Sequence, residues 1–257
     1  MPIADSSGTR IYYEIHGDGS PIVFVHGSGG NHAAWWQQIA ALRDRYAVVT
    51  LDLRGFGNSQ SDSDAYDAQE FPGDIVAVLE HADLTDAVLV GQSIGAAAAL
   101  KAALRVPDRV RGVVLGHSLG GIDHPELAEL VRADRAEAEK LPVIDRLLTP
   151  EFRAADPAKL LLFQQFGTFN RARMQDLRNL NTDGPTLEQL AEAGIRVGFL
   201  AGEKDAVIRP ATITRGHELV AGSVLELVAD APHSMYFERP DLFNAAVDRL
   251  AQALKGE

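Results

Sequence analysis

A serine, an aspartate and a histidine carry the most specific chemical signal in this chain. Gly91-Gln92-Ser93-Ile94-Gly95 sets a hydroxyl between two glycines, directly after the apolar run 87–90 and directly before the alanine-rich stretch 94–105. A serine hydroxyl is a poor nucleophile at neutral pH. It needs a neutral imidazole to take its proton and a carboxylate to orient that imidazole. The chain has eight histidines. His233, in Asp230-Ala231-Pro232-His233-Ser234, follows the last apolar run. Asp205 follows the run 196–200 through a glycine, Gly202, with Glu203 as a rival acid two residues earlier and Asp123 as a more distant one. A hydroxyl, an imidazole and a carboxylate of this kind suit acyl transfer.

The runs that would position these groups are short. Segment 10–15 looks like a strand bounded by turn residues, and 21–25, 47–51, 87–90, 110–115, 196–200 and 224–228 are short and mostly apolar, as expected of strands buried on both faces of a parallel sheet. Helical patterns at 31–42, 74–81, 94–105, 213–220 and 240–254 lie between or after them. The alternation predicts an α/β fold, a doubly wound, mostly parallel sheet of about eight strands with helices on both faces. The interval 117–190 has no strand-like run. It holds helical patterns at 126–139 and 158–166, punctuated by prolines. It is expected to be a helical lid inserted into a core made of 1–116 and 191–257.

With these segments in order, the chain resembles the α/β-hydrolase superfamily along nearly its whole length. The matching residues are His26-Gly27-Ser28-Gly29-Gly30, the stretch Asp52-Leu53-Arg54-Gly55-Phe56-Gly57-Asn58-Ser59, the Gly91 to Gly95 turn, Gly202-Glu203-Lys204-Asp205 and Pro232-His233-Ser234. The resemblance implies a nucleophile elbow at Ser93, Asp205 as acid and His233 as base, in the order serine, acid, histidine. It implies an oxyanion hole from the backbone N–H groups of Ser28 and Ile94, a structural role for His26, and chemistry that needs no metal and no organic cofactor. Serine at the elbow argues against epoxide hydrolases and haloalkane dehalogenases, which use aspartate there, and 117–185 contains none of the tyrosines that hold an epoxide oxygen. Gln92 stands where C–C bond hydrolases often carry asparagine, and Ser234 where hydroxynitrile lyases carry lysine.

Pocket residues are expected from the lid and the sheet ends: Trp36, Gln92, His117, Phe163 and Phe166. Leu162, Phe166 and Phe169 share one helical face. Arg153, Arg171 and Arg173 are default solvent-facing cations that a substrate carboxylate would otherwise engage. His32, His81 and His217 are expected to pack or face solvent. The acidic run Asp62, Asp64, Asp67 and Glu70 reads as a solvated loop. The formal net charge of −12 over 257 residues disfavours nucleic acid and anionic membrane as partners. No apolar run approaches the ~18 residues that cross a bilayer, and the absence of cysteine removes thiolate chemistry and disulfides. The N-terminus lacks a signal-peptide pattern, so a cytoplasmic setting is expected. The expected function is hydrolysis of a small, fairly apolar ester or lactone. The alternatives are C–C hydrolysis of a vinylogous diketo acid and a ligand receptor built on the same scaffold.

Overall fold

The computed structural model describes residues 2–61, 66–180 and 182–255. Its strands are β1 (Ile3–Ser6), β2 (Thr9–His16), β3 (Ser20–Val25), β4 (Tyr46–Leu51), β5 (Tyr66–Asp67), β6 (Ala87–Gln92), β7 (Val110–Gly116), β8 (Leu177–Arg178), β9 (Arg196–Gly202) and β10 (Val224–Val228). Eight of them form one sheet in the order β1-β2-β4-β3-β6-β7-β9-β10. The pairings from β4 to β10 are parallel, and β2 is antiparallel to both β1 and β4. β1 carries no apolar run and pairs with β2 alone, which is why the sequence pattern does not announce it. β5 and β8 pair separately, so the inserted interval contains a strand after all, of two residues.

The helices are α1 (Trp36–Leu42), α2 (Phe71–His81), α3 (Ile94–Arg105), α4 (Pro125–Ala138), α5 (Val143–Leu147), α6 (Pro150–Ala155), α7 (Pro157–Phe166), α8 (Leu187–Ala193), α9 (Pro210–Leu219), α10 (Met235–Glu238) and α11 (Pro240–Ala253). Because side chains alternate across a strand, each central strand feeds two cores. Val23, Val25, Leu89, Val113 and Phe199 face the core under α2, α3 and α9. Ile22, Phe24, Val90, Val114 and Leu200 face the core under α1 and α11. The uninterrupted apolar runs are the sequence trace of this double burial.

The helical insertion runs from the end of β7 towards β9. Its expected limit at residue 190 falls inside α8, whose Leu190 is part of the sheet's core. The insertion is anchored at both sides of the sheet's carboxyl end. Asn31 Nδ2 donates to Phe166 O at 3.0 Å, and Asn170 Nδ2 donates to Gly30 O at 3.0 Å. On the other side Thr149 donates its N–H and its hydroxyl to the buried Glu238 carboxylate at 2.8 and 2.6 Å. Of the acidic run, Asp62 and Asp64 lie outside the described residues; Asp67 binds the Gln69 N–H at 2.9 Å, and Glu70 meets Arg54 at 3.3 Å.

The chain leaves β3 for β4 on one side and later places β6 on the other. A sheet whose order reverses in this way opens a crevice beyond the carboxyl ends of the two strands. The glycine-rich loop 26–30 and Ser93 both emerge there.

Candidate active site

Ser93 links β6 to α3 with φ 54° and ψ −116°, a conformation that a residue bearing a β-carbon adopts only at a cost. The tight turn leaves no room beside it. A β-carbon on Gly91 would stand 2.4 Å from Ala96 Cα, and one on Gly95 would stand 2.5 Å from Val25 O. The loop after β3 comes just as close: a β-carbon on Gly27 would lie 3.4 Å from Ser93 Cβ. His26 holds that loop in place, since its Nε2 accepts the Leu53 N–H at 3.1 Å while Nδ1 bonds Gly27 O at 2.8 Å. Burial keeps His26 neutral by pushing its proton affinity down.

Asp205 and His233 arrive on two neighbouring loops, after β9 and β10. The loops are joined by Glu203 N to Val228 O at 3.0 Å and Lys204 N to Ala231 O at 2.9 Å. His233 Nδ1 lies 3.0 and 2.9 Å from the two Asp205 oxygens. Oδ1 also accepts the Val207 and Ile208 N–H groups at 2.7 and 3.1 Å. Burial alone would raise the Asp205 proton affinity, but His233 and His117 outweigh it and hold the carboxyl well below the usual carboxylate range. An ionised carboxylate only accepts, so His233 carries its proton on Nδ1 and leaves Nε2 as the basic nitrogen. The rival acids stand apart: Glu203 and Asp123 are exposed. Gln92, next to Ser93, donates from Nε2 to His233 O at 3.1 Å and ties the elbow to the histidine loop. Among the described residues the Ser93 hydroxyl has no hydrogen-bond partner, and in unliganded enzymes this contact is often loose.

A cavity of about 890 Å³ opens over Ser93 and Ile94. Phe71, Ala98, Leu119, Ile122, Leu127, Val131, Val207 and Ile208 make apolar walls, and Lys101, Asp123, Arg132, Arg135 and Glu139 add charge. Of the five residues expected to line it, only His117 does. Gln92 is buried in its bond to His233. Trp36 is exposed on α1, while Trp35 is the tryptophan in the core. Phe163 and Phe166 turn to the opposite core, with ring centroids 5.0 and 6.1 Å from Phe237. The facing wall is supplied by α4 instead. Its Leu127 and Val131 are four residues apart and share one helical face. Arg153 pairs with Asp145 at 2.7 Å, Arg171 reaches Ser61 O at 3.4 Å, and Arg173 caps a short turn with Asp176. The cavity's cations are Lys101, Arg132 and Arg135.

His117, Asp205 and His233 are also close enough together to hold a divalent ion, their candidate ligand atoms lying within 4.8 Å of one another. The Nδ1–Oδ separations of 2.9–3.0 Å are hydrogen-bond lengths and account for these atoms fully.

A model of the "Alpha/beta hydrolase family" matches residues 22–246. The chain belongs to that family. It is therefore a hydrolase, with the eight-stranded sheet that the family resemblance implies. Residues of the chain align with 3-oxoadipate enol-lactonase 2 of Acinetobacter baylyi at 28% identity, covering 90% of this chain and 88% of that protein. RutD of Azorhizobium caulinodans, provisionally named a carbamate hydrolase, is 37% identical over 115 residues, 45% of this chain and 43% of that protein. A thermophilic esterase from Thermogutta terrifontis superposes with a TM-score of 0.82 at 23% identity over 99% of both chains. That last likeness concerns the fold alone.

Proposed function

We propose that this hydrolase cleaves a small, largely apolar carboxylic ester or lactone through an acyl-serine intermediate, with Ser93, Asp205 and His233 as its triad. The observation that carries the reading is the strained Ser93 at the floor of a cavity with apolar walls and added charge, tied through Gln92 to a buried Asp205–His233 pair. Ser93 Oγ attacks the carbonyl carbon as His233 Nε2 takes its proton. The N–H groups of Ser28 and Ile94 receive the oxyanion, Ile94 because the first residues of a helix have unspent donors. The imidazolium then protonates the leaving alkoxide, and a water activated by the same nitrogen releases the acid. The insertion serves as a lid, with α4 as the wall facing the nucleophile. The cavity volume falls in the range of small-molecule sites. Residues 117–190 supply most of its far wall, and the enol-lactonase alignment favours a lactone among the esters.

The charged groups Lys101, Arg132 and Arg135 in the cavity favour a second reading, C–C hydrolysis of a diketo acid whose carboxylate they would meet. A panel of short p-nitrophenyl esters, lactones and vinylogous diketo acids, run on wild type and Ser93→Ala, decides between them. The first reading expects turnover of esters or lactones that falls by about 10⁴-fold or more in Ser93→Ala. Turnover of diketo acids alone would select the second. Ligand binding with negligible turnover of every compound would count against both substrate readings.

A further inference from the structure

Asp205 carries one contact more than a triad acid requires. His117, the first residue after β7, places Nδ1 2.9 Å from Asp205 Oδ2, the same oxygen that lies 2.9 Å from His233 Nδ1. The two rings meet edge to face with centroids 5.6 Å apart. His117, His233 and Asp205 are 0%, 3% and 5% exposed. Since the ionised carboxylate only accepts, both imidazoles present Nδ1–H to it. His117 does so as a neutral donor, because burial outweighs the pull of Asp205 and pushes its proton affinity down.

Keeping a histidine here has two costs. His117 has φ 54°, in the left-handed region that glycine enters most readily. Its Nε2 is buried without a partner, which an apolar side chain would avoid. Its main-chain N–H is already fixed to Leu200 O at 2.8 Å, so the turn does not depend on the ring. The polar contact the ring makes is the one to Asp205.

We propose that His117 is a positioning residue of the acyl-transfer machinery: its Nδ1–H fixes the plane of the Asp205 carboxylate and divides Oδ2 between two imidazoles, which limits how tightly Asp205 holds the proton-bearing His233. This role rests on the serine mechanism above. The titratable groups acting on His117 are Asp205 and His233, while Lys101, Asp123, Arg132, Arg135 and Glu139 line the cavity it borders. A carboxylate that loses one donor attracts its remaining cation more strongly. Removing the His117 donor should therefore favour the imidazolium form of His233 and move the acidic limb of kcat/KM to higher pH.

The test uses two variants that both suit φ 54°. His117→Gly removes the donor and relieves the backbone; His117→Asn offers an amide N–H close to the position of Nδ1. With a p-nitrophenyl ester, His117→Gly is expected to move the acidic limb up by about half to one pH unit, roughly a three- to tenfold loss below the limb. His117→Asn is expected to keep the wild-type limb, and free imidazole to move the His117→Gly limb back. A folded His117→Gly with the wild-type profile would overturn the proposal, as would a limb equally displaced in His117→Asn, which would assign the effect to packing. Ser93→Ala runs alongside. If it keeps turnover, the serine mechanism itself fails; if it is inactive while the His117→Gly profile is unmoved, only the positioning role fails.

Discussion

Asp52 and Asp205 are both buried at the carboxyl ends of parallel strands, and both bind a histidine Nδ1 at 2.8–3.0 Å. Their surroundings differ. Asp52 also accepts the His32 N–H at 2.6 Å and the Asn58 N–H at 2.8 Å, so it stitches the turn after β4 to the loop after β3. The other nitrogen of His32 lies 3.9 Å from Glu14. His32 thus stands between two carboxylates. Burial lowers its proton affinity, but Asp52 and Glu14 together raise it above the ordinary histidine value. An imidazole held between two acids is favoured in its charged form and clamps them. At Asp205 the arrangement is inverted: a single acid accepts from two imidazoles. The pairing itself does not mark a candidate reaction site; the two differ in the ratio of acids to imidazoles and in the elbow at Ser93, which Gln92 ties to His233.

The comparison is sharpest under amide substitution. Asp205→Asn should lower kcat by about 10⁴-fold while the protein still folds, measured with the best ester of the panel and checked by circular dichroism. Asp52→Asn should do the reverse. It turns an amide N–H₂ towards main-chain donors and leaves a charged His32 short of a partner, at about 3 kcal/mol of stability, read from urea midpoints. Its folded fraction should lose far less kcat than Asp205→Asn, because Asp52 holds a loop and does not touch the proposed reacting groups. A catalytic loss at Asp52 as large as that at Asp205 would break the distinction.

A smaller effect separates the pairs by pH. The proton affinity of His32 is raised in the folded state, so its contribution to stability is full below the unfolded value of about 6.5 and is lost as pH rises through the folded value. The unfolding free energy of wild type from urea titrations should therefore fall from pH 6 to pH 9 by a component of about 1 kcal/mol or less that is missing in His32→Gln. An identical pH dependence in the two proteins would remove the clamp's charge from the account.

Much of the candidate site is legible in the sequence because local constraints overlap there. Ser93 needs small neighbours on both sides, and a strand must precede it and a helix follow it. Asp205 and His233 each follow an apolar run through turn residues. The cavity wall is not legible in this way. The apolar spacing of Leu162, Phe166 and Phe169 shows that a helix has an apolar face. It does not say which of two cores receives it, and Phe163 and Phe166 join the core around Phe237, while Phe169 is exposed. The bond from His117 to Asp205 is hidden for a topological reason. The two residues are 88 apart in the chain, and they meet because β7 and β9 are neighbours, with Gly116 in register with Leu200. Residue spacing does not reveal that adjacency across so long an insertion. The main-chain clamp of His32 on Asp52 escapes for a similar reason: it depends on how the β3 loop and the β4 turn approach in space.

The central claim is that Ser93 is the nucleophile, and covalent labelling tests it most directly. Wild-type protein is treated with an activated phosphonate ester, and intact and peptide mass spectrometry are followed against turnover. The account predicts one label per chain, on Ser93, with activity lost in proportion and labelling slowed strongly in Asp205→Asn. Protein labelled on Ser93 that still turns over substrate, or activity lost through a label on another residue, would contradict it.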